Sequence, residues 1–165
     1  MATKKGIIIT AIILGTISSA SFMVWFFPQN RGPGIVVSDY SNELDSVRER
    51  HGLIITEMDS NLMSLLNQTL SPDDFINMTQ TSSTQVTSLI TELIESNPPV
   101  EWRESYLNYD EALKKYNDYL TEAISLANEM KVSTSPNNLN QELSTLASLK
   151  NESNSFIVKS NETRP

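Results

Sequence analysis

The chain has 165 residues, room for one modest domain with appendages, and carries 12 Lys and Arg against 20 Asp and Glu, a net charge of −8. It has no cysteine and a single histidine, His51, which excludes disulfide frameworks, thiolate metal sites, cysteine nucleophiles and histidine-rich clusters. The acidic balance argues against nucleic acid as a partner. Gly-rich phosphate loops, GxSxG elbows and HExxH are absent, so the chain does not read as an enzyme.

Residues 1–5 read as a cytoplasmic tail and 6–27, GIIITAIILGTISSASFMVWFF, as an uncharged transmembrane signal anchor. A helix over those positions spans roughly 33 Å, enough for a bilayer core of about 30 Å. Lys4 and Lys5 before it, with only Arg31 close behind, put the amino terminus in the cytoplasm and the rest outside the cell membrane. Trp25, Phe26 and Phe27 suit an interfacial belt. The rival reading is a signal peptide cleaved near Ser18-Ser19-Ala20. The apolar run on to Phe27 favours the anchor, and both readings export the remainder of the chain. Within the span, Ala11, Gly15, Ser18 and Ser19 form a small-residue strip suited to packing on a membrane-protein partner or a second copy.

Residues 28–37, with Pro28 and Gly32-Pro33-Gly34, read as a linker, and 38–159 as an extracytoplasmic helical bundle. Its first segment, capped by Ser38 or Asp39, carries Leu44, Val47, His51, Ile54, Met58, Leu62 and Leu65 at helical spacing. Ser71-Pro72-Asp73-Asp74 opens the second with a cap hydroxyl, a first-position proline and acids facing the helix dipole. Leu70 and Phe75 are placed as a hydrophobic staple, and the stripe runs through Thr79, Val86, Leu89, Ile90, Leu93 and Ile94 to Asn97-Pro98-Pro99. The polar stretch Gln80 to Gln85 makes this the helix expected to be weakest in propensity and burial.

The third segment carries Trp102, Tyr106, Tyr109, Leu113, Tyr116, Leu120, Ala123, Ala127 and Met130. Ser135-Pro136 starts the fourth, with Leu139, Leu143, Leu146, Leu149, Phe156 and Ile157, before a disordered tail over 160–165. Short connections between such segments predict an all-α fold: a transmembrane helix followed by an antiparallel four-helix bundle with coiled-coil-like packing.

His51, set against Met58 or Met130, has the residue types of a haem site, but no second histidine or attachment motif supports one. It reads as a packed histidine at the core rim with one nitrogen wet, and no cofactor, metal site or catalytic residue is expected. Asp73/Asp74, Glu92/Glu95 and Asp110/Glu111 read as helix-start or solvated-face acids. Tyr106, Tyr109 and Tyr116 read as core. Tyr119 falls at the edge of the third stripe and Leu107 outside it; these two, with Ile55 and Leu66, are candidates for a partner surface. Sequons at Asn67, Asn77, Asn151 and Asn161 are candidate glycan acceptors in an exported chain, Asn161 the most accessible if the tail frays.

Lys4-Lys5, the Ile-rich run to Ala20 and the SFMVWFFPQ stretch from Ser21 to Gln29 resemble uncharacterised single-pass surface proteins of archaea, particularly ammonia-oxidising lineages. That resemblance implies no activity and no site residues. The exported part is similar in architecture to helical ectodomains of chemotaxis-type sensors, but the second span and cytoplasmic output domain of such sensors do not occur in this sequence. Together these features suggest a membrane-anchored interaction module, an accessory subunit of a membrane complex or an envelope scaffold. The alternative is a ligand- or cofactor-binding ectodomain. A binder should hold a cavity lined by His51 or the tyrosines, and a scaffold a filled core.

Overall fold

The computed structural model describes residues 39–132 and 139–165. They form four α-helices: α1 Tyr40–Leu66, α2 Pro72–Glu95, α3 Val100–Val132 and α4 Leu139–Glu162. The expected tail 1–5, anchor 6–27, linker 28–37, small-residue strip and Ser135-Pro136 start lie outside the described residues. Among the described residues, no helix is long and apolar enough to cross a membrane.

Local chemistry explains the helix ends. The Asp39 carboxylate accepts the Asn42 backbone N–H at 3.1 Å and caps α1. At the other end Gln68, at φ 59°, turns the chain so that the Thr69 and Leu70 N–H groups both reach the Ser64 carbonyl, at 2.9 and 3.1 Å. Ser71 then accepts the Asp74 N–H at 3.1 Å and donates to the Asp74 carboxylate at 2.6 Å, with Pro72 opening α2. Asn97, at φ 46°, and two prolines separate α2 from α3.

Most buried residues keep a three-four alternation: on α1 Leu44, Val47, His51, Ile54 and Met58, with Leu65 a further seven on, and on α2 Phe75, Thr79, Ser82, Val86, Leu89 and Leu93, with Ile76 beside the first. Helix α3 buries two stripes. One, from Tyr106 through Leu113 and Leu120 to Ala127, enters the core; a second follows Ser105, Ala112, Tyr119 and Leu126 at intervals of seven. The three buried residues of α4, Leu146, Ser153 and Ser160, have the same interval. They pair with the second stripe in antiparallel register. Ser105 donates to the Ser160 carbonyl at 2.7 Å and Ser153 to the Ala112 carbonyl at 2.8 Å. Small side chains at these levels let the two backbones approach closely.

Other cross-helix contacts complete an up-down-up-down arrangement. Arg50 pairs with Glu92 between α1 and α2 at 2.6 Å, and Asp73 with Lys131 between α2 and α3 at 2.6 Å. Long side chains close the α1–α4 seam: Lys150 reaches Asp59 at 2.5 Å, Arg164 reaches Asp45 at 2.8 Å, and Arg48 donates to Asn161. Such exposed pairs contribute about 0–1 kcal/mol each, so they orient the seam more than they hold it.

Three expectations are corrected. Helix α4, not α2, buries least, because only its seven-residue stripe is fully buried while Leu139, Leu143, Leu149 and Ile157 pack partly, whereas Ser82 is small enough to pack within α2's polar stretch. Trp102 is only half-buried, under the Arg164 guanidinium at 5.7 Å. The 160–165 segment, expected as a disordered tail, is helical to Glu162, with Ser160 buried and Arg164 also donating to the Ser41 carbonyl at 3.2 Å.

Candidate functional site

The three-four stripe of α1 places His51 at a full core position, not at the rim as the sequence suggested; its exposure is 0%. Its ring packs edge-on against Tyr116, with centroids 4.8 Å apart, and against Tyr109 at 5.9 Å. Nδ1 lies 3.1 Å from the Tyr109 hydroxyl, while Nε2 and the Tyr116 hydroxyl are buried without a hydrogen-bond partner. Burial pushes the histidine down to about 4. Burial also drives the Tyr109 and Tyr116 hydroxyls well above the usual phenol range, and Tyr119 up to about 12. All four groups are therefore neutral near pH 7, and this layer offers no proton donor or acceptor poised for chemistry there. His51, Tyr109 and Tyr116 fill the core with their own rings.

The surface offers a different arrangement where α2 ends and α3 begins. Leu93, Ile94, Asn97 and Pro98 form one wall of an open groove of about 210 Å³, and Arg103, Tyr106, Leu107 and Asp110 the other. Ile94 is 64% exposed and Leu107 58%, with Val100 at 74% on the adjoining first turn of α3. Water-exposed apolar side chains clustered this way are a recurring mark of a binding surface. Asp110 is only 7% exposed, contrary to its expected place on a solvated face. One of its carboxylate oxygens takes the Lys114 ammonium at 2.7 Å; the other is buried without a partner. The Asp110 and Glu111 carboxylates together raise the Lys114 amine above its ordinary value.

The groove sits at the end of the bundle where α1 begins. Tyr106, in its wall, donates to the Tyr40 carbonyl at 2.9 Å and to Glu43 at 3.2 Å. Desolvation raises the Glu43 carboxyl above its ordinary value, more than the Tyr106 hydroxyl lowers it.

Of the four candidate partner-surface residues, Leu107 alone is exposed. Tyr119 is buried on the α4-facing stripe, stacked on Tyr116 at 5.2 Å, and Ile55 and Leu66 pack partly against the core. Ile94, assigned to the core stripe, instead faces solvent beside Leu107. A larger groove of about 370 Å³ runs between α1 and α2, but its only strongly exposed apolar residue is Leu53. Among the described residues no group of three or more His, Asp or Glu is placed to hold a metal ion. Comparisons with protein-family models, curated proteins and solved structures find no match.

Proposed function

We propose that this chain is a membrane-anchored, extracytoplasmic helical interaction module, either an accessory subunit of a membrane complex or an envelope scaffold, and that it binds its partner through the α2–α3 groove. The observation that carries the reading is the groove itself, where Ile94 and Leu107 stand exposed beside a buried Asp110 oxygen that lacks a partner. An apolar segment seated in the groove would cover the exposed Ile94 and Leu107 side chains and, beside them, Val100. The closed His51 layer supports an interaction module over a ligand-binding ectodomain.

The anchor reading rests on residues 6–27. The test is co-purification of the full chain from its native membrane in mild detergent, comparing the wild type with Leu107→Asp and Ile94→Asp. Loss of a specific partner in both variants, with the helical circular dichroism unchanged, is expected. Full retention in both would refute the groove as the docking site.

A further inference from the structure

The structure separates four sequons that are equivalent in sequence. In an α-helix the side chains of residues i and i+2 point roughly 200° apart, so an asparagine and the hydroxyl two positions on cannot enter one active site without unwinding. Asn77 and Asn151 lie inside α2 and α4, and their partner hydroxyls are locked in place. Thr79 is 0% exposed and donates to the Phe75 carbonyl at 2.7 Å; Ser153 is 1% exposed and bridges to Ala112. Asn161 lies in the last turn of α4, where its side-chain oxygen accepts from Arg48. Thr163 donates to the Lys159 carbonyl at 2.8 Å and accepts from Asn108 at 3.3 Å.

Asn67 differs from all three. It comes directly after the last residue of α1, is exposed, and is succeeded by Gln68 at φ 59°, so Asn67-Gln68-Thr69 is a turn and not a helix. Thr69 is exposed as well; its hydroxyl donates to the Ser64 carbonyl at 3.0 Å, a contact open to solvent that a rotation about one side-chain bond releases. With α1 between them, the turn stands roughly 40 Å from Tyr40, at the opposite end of the bundle from the groove.

We propose that Asn67 is the N-glycan acceptor of the folded chain, and that Asn77, Asn151 and Asn161 are not acceptors. Occupancy in the cell rests on the exported placement proposed above; the acceptor geometry does not. The donor class is an oligosaccharide linked through diphosphate to a polyprenyl lipid. Asn67 Nδ2 forms a bond to the sugar C1 while the C1–O bond to the diphosphate breaks. The lipid diphosphate departs with the electron pair, and the amide proton passes to a base of the transferase.

The test incubates the folded full chain, purified in detergent, with such a donor and a single-subunit oligosaccharyltransferase that accepts Asn-x-Ser/Thr. Sites are read by intact-mass and glycopeptide mass spectrometry, and the urea-unfolded chain serves as the control for intrinsic acceptance. One glycan is expected on the folded protein, at Asn67, formed about tenfold or more faster than at any other sequon because those require local unfolding. It should vanish in Asn67→Gln and in Thr69→Ala. A folded chain left bare while the unfolded one is modified, or one modified as fast at Asn77, Asn151 or Asn161, would overturn the assignment. Protein that accepts the glycan in vitro, yet leaves bare a host whose transferase acts on the outer face, would contradict the export reading and leave the acceptor standing.

Discussion

Acidification should weaken this bundle chiefly through His51. Its folded value of about 4 lies below the ordinary 6.5 that the unfolded chain regains, so between those limits the unfolded state binds the proton more readily. The stabilising contribution is complete above about pH 6.5 and is lost as the pH falls towards 4, a difference of about 3 kcal/mol. Glu43, whose carboxyl is raised, acts in the opposite direction, so the His51 effect must be isolated by subtraction. Urea unfolding of the full chain in detergent, followed by circular dichroism at pH 7.5, 6, 5 and 4, should be run on the wild type and on His51→Leu. The variant leaves the Tyr109 hydroxyl unpaired at every pH, which offsets its curve without tilting it. The wild type should lose about 3 kcal/mol relative to the variant across this range, on the order of 10 °C in melting temperature. Parallel pH profiles would refute the buried, neutral histidine.

Removing the unpartnered Tyr116 hydroxyl with Tyr116→Phe should leave stability unchanged or raise it by about 1 kcal/mol, whereas Tyr109→Phe, which takes a partner from His51, should cost about 1 kcal/mol by the same urea titration. An added Cβ at Gly52 meets nothing within 4 Å. Gly52→Ala should therefore stabilise α1 by about 0.5–1 kcal/mol, read as a higher urea midpoint at unchanged slope. In the proposed anchor, Gly15→Leu should weaken association in a membrane two-hybrid assay while leaving insertion and the helical bundle intact.

The all-helical fold was legible because long apolar stripes, a Ser-Pro cap and a Pro-Pro break agree with one another, and Leu44 to Met58 needed only their spacing to be placed. The α3–α4 seam was not legible. Ser105, Ala112, Ser153 and Ser160 add little to a hydrophobic count, and their interval of seven stands out only once the antiparallel pairing is known. Missing that second stripe put Tyr119 on the surface and frayed a tail that Ser160 and Arg164 tie down. The site was half legible. Leu107 lay off the stripe and was read as exposed, but Ile94 continued the α2 periodicity in sequence, whereas Leu93 and Ser96 are the residues buried at that end and Ile94 faces solvent. The buried Asp110 had no sequence signal, because its neighbour Glu111 and the Lys114 four positions on look like any solvated helix face.

Site-specific photo-crosslinking in intact native membranes tests the docking claim most directly. A photoreactive residue replaces Leu107 in one full-length variant and exposed Ser148 of α4 in another. The Leu107 probe should link to one membrane protein, or to a second copy of this chain, in a defined band that the Ser148 probe does not give. Equal crosslinking from both positions, or a partner captured from Ser148 alone, would contradict the docking claim.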